Sequence, residues 1–168
     1  MRLGILGTLS IGLLLVGQVA LAETVKIGFV TTLTGGAGAI GNDMRDAVEL
    51  ALDHLGRKMG SSNVKMFYED DTFKPDVGKL KTEKLVKKDK VHFVTGYIWS
   101  HVLMASRNSV VGKGPFMITS NAGPGPVAGK LCHEDFFSTS WQNDQTTMAM
   151  GEVLNQLGIK DLNIMAPN

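Results

Sequence analysis

The sequence predicts an α/β fold, a parallel sheet with helices on both faces. Three observations predict it. Short apolar runs and stretches of helical periodicity alternate five times along the chain. The apolar runs stop in small polar loops, as at Thr95-Gly96 and at Thr119 to Gly123. No internal repeat of solenoid length interrupts the alternation.

The first 22 of the 168 residues stand apart. Arg2 opens a mostly apolar stretch, Leu3 to Val19, and Ala20-Leu21-Ala22 is a small-x-small cleavage site. The expectation is an exported chain from which this segment is cut, with no cysteine nearby for a lipid anchor. No later apolar run approaches the ~20 residues that span a bilayer.

Val25, Ile27, Phe29 and Val30 form a first strand, followed by the loop TTLTGGAGAIGND. Met44, Ala47, Val48, Ala51, Leu55 and Met59 then fall at helical spacing, capped by Asn42 or Asp43 and ended by Gly60-Ser61-Ser62. Val64, Met66 and Phe67 make a second strand that ends in Glu69-Asp70-Asp71. Pro75 opens a helix that turns Val77, Leu80 and Leu85 inward. Residues 91–126 carry a βαβ unit. Val91, Phe93 and Val94 are its first strand, and Ser100 stands at the N-cap of a helix bearing Val102, Leu103, Ser106 and Val110. Phe116, Met117 and Ile118 are its second strand. After the loop GPGPVAGKLCHED comes a strand at Phe136 to Ser140. A helix capped by Asn143 ends at Gly158, and a strand is expected at Leu162 to Ala166.

Parallel strands open their carboxyl ends on one side, and ligands of open α/β sheets bind there. Ser100 and the amides of Asn121, Ala122 and Gly123 are therefore candidates for one crevice. Free N–H groups at a helix start attract an anion by ~0.3–1 kcal/mol per charge. Between Asp89 and Glu134 there is no carboxylate, whereas Lys90, Arg107, Lys113 and Lys130 fall inside the gap. Trp99, beside Ser100, joins the candidates. Trp141 lies among polar residues at a strand-to-helix junction, so it is either a crevice wall or a hinge-packing residue.

Composition excludes several classes. Without Arg2 the remaining charges balance at 16 basic and 16 acidic residues, against the basic excess that nucleic acid requires. The lysines of residues 79–90 read as a solvated helix face. The four histidines show no metal spacing, and three consecutive carboxylates at 69–71 do not supply a calcium loop. They read as a solvated strand end. Gly36-Ala37-Gly38-Ala39-Ile40-Gly41 matches G-x-G-x-x-G, but Thr31 to Thr34 intervene after the strand and Glu69 lies 28 residues past Gly41. A dinucleotide turn, a close pass of backbone to a bound solute, and a flexible loop all remain open. Cys132, the one cysteine, is either free and buried or paired outside this chain. Ser100 has no assignable base for hydrolysis.

The ordered motifs VKIGFVTTLTGGAGAIGNDMRDAVELA, FYEDDTFKPD, VTGYIWSH, FMITSNAGP and FFSTSWQNDQ resemble the leucine/isoleucine/valine-binding group of periplasmic solute-binding proteins, over essentially all of residues 24–168. The resemblance implies a type I periplasmic-binding-protein lobe one plus the start of lobe two. Residues 1–22 would be a signal peptide, 23–141 an incomplete amino-terminal lobe and 142–168 a truncated start of the second. It implies a non-enzymatic component of an ABC importer, a monomer when full length, that serves a membrane permease from the periplasm without cofactor or metal. Ser100 matches the family's carboxylate-binding serine, Asn121 and Gly123 its head-group loop, and Ile40 a side-chain-pocket position. Gly123 departs from the threonine usual in amino-acid binders. Ser-Trp-Gln-Asn-Asp resembles members that take aromatic acids, so benzoate-like acids and branched-chain amino acids both stand as solutes. A sensor ectodomain and an exported dinucleotide-dependent oxidoreductase are the rival readings.

Overall fold

The computed structural model describes residues 23–165, so the expected signal segment lies outside the described residues. Six strands and four α-helices follow in order: β1 (Val25–Thr31), α1 (Gly38–His54), β2 (Lys58–Met59), β3 (Ser62–Asp70), α2 (Pro75–Lys84), β4 (Phe93–Thr95), α3 (Ser100–Arg107), β5 (Phe116–Thr119), β6 (Phe136–Ser138) and α4 (Asn143–Gln156). The sheet order is β2-β3-β1-β4-β5-β6. All pairings are parallel except the short β2–β3 hairpin. The expected α/β class and parallel sheet are what the chain forms.

The chain leaves β1 toward β3, then crosses back over β1 to reach β4. Right-handed crossovers in opposite directions put their helices on opposite faces. Two observations agree. A β-carbon on Gly28 of β1 would meet Leu85, just past α2, whereas its neighbour Phe29 shares a groove with Met44, Ala47 and Val48 of α1. The reversal makes the carboxyl ends of β1 and β4 a switch point, where a crevice opens.

The core lies between the sheet and α2–α3. Val30, Val94 and Met117 from the strands pack with Leu85, Val102, Leu103 and Val110, all fully buried. Tyr97 is buried among them and stays hydrogen-bonded. Thr82 Oγ1 donates to the Gly78 carbonyl at 2.8 Å, so the Tyr97 hydroxyl donates to Thr82 at 2.6 Å. Burial pushes the Tyr97 phenol up.

Several expectations need correction. α1 begins at Gly38, not at Asn42 or Asp43, and ends at His54, so Met59 belongs to a strand. Asn42 sits inside the helix and donates to the carbonyls of Gly38 (2.7 Å) and Leu33 (3.0 Å). Leu80 is 66% exposed, because the inward face of α2 carries Gly78 and Thr82, neither of them large and apolar, with Leu85 just past its end. The cap position of α3 is Trp99, and Ser100 is its first helical residue. Gln142, not Asn143, caps α4 through a reciprocal pair with Gln145. Residues 161–165 carry no regular structure, and Ala166 lies outside the described residues. Cys132 is free among the described residues but exposed, not buried.

Candidate ligand-binding site

The loops after β1, β3 and β4 meet at the switch point and are tied together by side chains. Trp99 Nε1 donates to Thr32 Oγ1 at 2.9 Å, and Thr32 Oγ1 donates to Asp71 Oδ1 at 2.5 Å. The Phe73 amide donates to the same Asp71 oxygen at 2.9 Å. The Phe73 ring meets the Trp99 indole edge-on, with centroids 4.6 Å apart. Burial pushes the Asp71 carboxyl up, against the hydrogen bonds from Thr32 and Phe73. Asp71 Oδ2 is buried with no partner among the described residues.

The other carboxylates of the triplet are also engaged, so the expected solvated strand end is not what forms. Asp70 accepts from Thr34 Oγ1 at 2.5 Å and from the amides of Leu33 and Thr72 at 2.9 Å. Burial raises Asp70, but those bonds outweigh it and hold the carboxyl below its usual range. Glu69 is buried beneath α2 and pairs with Lys81 (2.9 Å) and Lys84. Among the described residues no group of three His, Cys, Asp or Glu is placed to hold a metal.

The G-x-G-x-x-G stretch resolves into a packing device. A β-carbon on Gly41 would stand 1.9 Å from the Thr32 carbonyl oxygen, and one on Gly38 would stand 2.8 Å from that of Leu33. The absent side chains let α1 lie directly on the exit of β1. Gly36 has open space around it.

The loop after β5 is held by the chain that leaves β6. The Thr139 amide donates to Thr119 O at 2.9 Å and the Asn143 amide to Gly123 O at 2.8 Å. A β-carbon on Gly123 would lie 2.1 Å from Trp141 O, so any side chain at this position would require the two backbones to move apart. The Asn121 and Gly123 amides have no partner among the described residues. Ala122 is corrected: it is buried in the core, its amide donates to Tyr97 O at 3.1 Å, and its carbonyl accepts from Thr119. Its amide is not available to a ligand.

Ser100 lies between these two groups of loops. Its hydroxyl caps nothing and instead accepts from Asn143 Nδ2 at 2.9 Å. Trp141 is 65% exposed and lines a cavity of about 290 Å³ with Gly123, Val127, Phe136 and Gln142. Trp99 lines a separate cavity of about 320 Å³ with Gly35, Gly36 and Phe73. Ile40, 46% exposed, projects from the first turn of α1. Asn121 borders the α1-side groove with Phe29 and Met44. The structure thus joins Ser100 and Gly123 through Asn143, with Trp141 against Gly123, and leaves Trp99, Ile40 and Asn121 outside that group. Sequence reasoning missed Thr32, Asp71 and Phe73 as supports. Consecutive aspartates before a Thr, a turn signature, were the available signal.

The architecture is that of the type I periplasmic binding protein fold. A family model described as periplasmic binding protein matches residues 24–168, and the chain belongs to that family. It is 29% identical over 100 residues to the Leu/Ile/Val-binding protein BraC3 of Rhizobium johnstonii, covering 58% of this chain and 27% of that protein. An ABC transporter substrate-binding protein from Sphaerobacter thermophilus superposes with a TM-score of 0.71 at 29% identity, over 81% of this chain and 38% of that one. A solute-binding protein of an R. palustris ABC transporter, solved in complex with benzoate, gives 0.76 at 26% identity, over 82% and 38%. LivJ from Streptococcus pneumoniae, in complex with isoleucine, shares the fold at 21% identity and a TM-score of 0.70, over 81% and 39%. The chain therefore spans less than two fifths of these relatives' length. These relatives are named as binding proteins of ABC transporters or of Leu/Ile/Val.

Proposed function

We propose that this chain captures a small carboxylate for an ABC importer, in the periplasm, and passes the loaded form to a membrane permease. Residues 1–22 act as a cleaved export signal. Residues 23–141 form most of one lobe, the second begins at 142–168, and the whole protein works as a monomer. Ser100 binds the carboxylate together with the Asn121 and Gly123 amides. Trp99, Trp141 and Ile40 hold the apolar body, which is that of an aromatic acid or a branched-chain amino acid. Closure of two lobes on the solute then distinguishes loaded from empty protein.

One observation carries this reading. The Ser100 hydroxyl stands at the switch-point end of the sheet, spends no bond on its own helix, and neighbours a loop with two unpartnered amides. The benzoate and isoleucine complexes of the relatives support the choice of solutes. Tryptophan fluorescence of the whole protein, titrated with benzoate, 4-hydroxybenzoate, leucine and isoleucine, tests it. At least one of these should bind, and Ser100→Ala should weaken it about 10-fold or more, as loss of a charge-assisted hydrogen bond does. A flat response to all four overturns the proposal.

A further inference from the structure

We infer that Asn143 is a positioning residue that fixes the Ser100 hydroxyl as a donor toward an anionic solute. The inference rests on the carboxylate reading of the site and deepens it. A serine hydroxyl has one proton and can donate or accept. Left alone it rotates, and binding an anion then has to order it. Here its oxygen already accepts from Asn143 Nδ2, at 2.9 Å. One Asn143 N–H points at a lone pair of that oxygen, so the hydroxyl proton is directed elsewhere. With one lone pair occupied, the Ser100 proton is the group that an anion can engage.

The amide is itself held. The Asn143 backbone N–H donates to Gly123 O at 2.8 Å, and the turn before it is closed by Gln142 and Gln145. Asn143 thus joins the helix after β4, which it meets 43 residues away in sequence, to the loop after β5. The nearest histidine in sequence, His101, is exposed and faces Phe73, with ring centroids 5.1 Å apart. The nearest carboxylate in sequence, Asp144, accepts from Gln142 Nε2. Asn143 is the side chain on the Ser100 oxygen.

Isosteric replacement separates this role from a merely structural one. Asn143→Asp turns the donor into an acceptor, so it takes the Ser100 proton and adds a negative charge beside the solute. Asn143→Ala only removes the orienting bond. The probes are two pairs of equal shape and different charge, benzoate with benzamide and isoleucine with isoleucinamide, titrated into the whole protein. Asn143→Ala should weaken the carboxylate about 5-fold, the worth of one neutral hydrogen bond, and Asn143→Asp about 50-fold or more. The amide partner should lose less than about 5-fold in either variant. In a Ser100→Ala background the Asn143→Ala effect should vanish, since the two residues act as one unit.

Each outcome decides. Equal losses for acid and amide, or Asn143→Asp no worse than Asn143→Ala, overturn the inference while Ser100-dependent binding keeps the carboxylate reading. Additive effects in the double variant also overturn it, and that cycle decides alone should Asn143→Asp fail to fold. Binding of no carboxylate by the wild type overturns both the reading and the inference.

Discussion

The two faces of the sheet are built differently. On the α2–α3 side, Val94, Leu103, Val110 and Met117 are fully buried and interlock with Tyr97 and Leu85. On the α1 side, Phe93, Phe116 and Phe137 run as a ladder across three strands, with centroids 5.9 and 6.0 Å apart. There Phe116 is 40% exposed and Phe137 51%. α1 reaches only the β1 end of that face, and a groove of about 370 Å³ remains beneath Met44, Ala47 and Val48. One face is held by side-chain volume. The other is held by backbone contact at Gly38 and Gly41, with much of its apolar surface open. Stability in the described residues should therefore be concentrated on the α2–α3 side.

The sharpest test of that difference removes similar apolar volume from each face. Leu103→Ala should cost about 2–5 kcal/mol, because a buried leucine leaves a cavity. Phe137→Ala should cost less than about 1 kcal/mol, because half of the ring is already in water. Urea unfolding of the two variants compares them, and equal losses would break the contrast. The next effect belongs to the α1 side. Gly41→Ala forces a methyl against the Thr32 carbonyl and should destabilise by about 1–3 kcal/mol, by the same measurement. A tolerated alanine would mean that α1 is not held by that approach.

These same elements show what the sequence disclosed. The strands of the core were legible because Val91 to Val94 and Phe116 to Ile118 are compact apolar runs bounded by polar loops. The buried face of α2 was not, since Gly78 and Thr82 carry no hydrophobic signal and Leu80 carries a misleading one. The start of α1 was hidden for a related reason: glycines read as loop until the carbonyls they pack against are known. Near the candidate site, the place of Ser100 at the start of the helix after β4 was legible. Its bond to Asn143 was not, because it joins residues distant in sequence, and neither was the engagement of the Ala122 amide.

Two carboxyls at the end of β3 sharpen the picture through pH. Burial pushes Glu69 up, but the hydrogen bonds and charges of Lys84 and Lys81 outweigh it and hold the carboxyl below the usual glutamate range. A group depressed by folding stabilises above its unfolded pKa and loses that contribution as pH falls through the folded value. Glu69→Gln should therefore lower stability at neutral pH, with the gap to wild type closing on acidification below the glutamate range. Asp71 runs the other way, since burial raises it. Its protonated form is favoured by folding, so stability is lost as pH rises from the ordinary aspartate range through the folded value. Asp71→Asn should raise stability at neutral pH and gain nothing in strong acid. Thermal melts across pH read both signs. The smallest effect is expected at Cys132, which is exposed. A methanethiosulfonate reagent should label it in the folded protein and move the unfolding free energy by less than about 0.5 kcal/mol.

The contact between residue 123 and Trp141 constrains descent as well as shape. Wherever the two backbones run this close, a hydroxyl-bearing residue at 123 cannot be acquired by one substitution, because the strand exit would first have to be rerouted. The side chain at that position and the course of residues 141–142 would then have to change together, as one inherited unit.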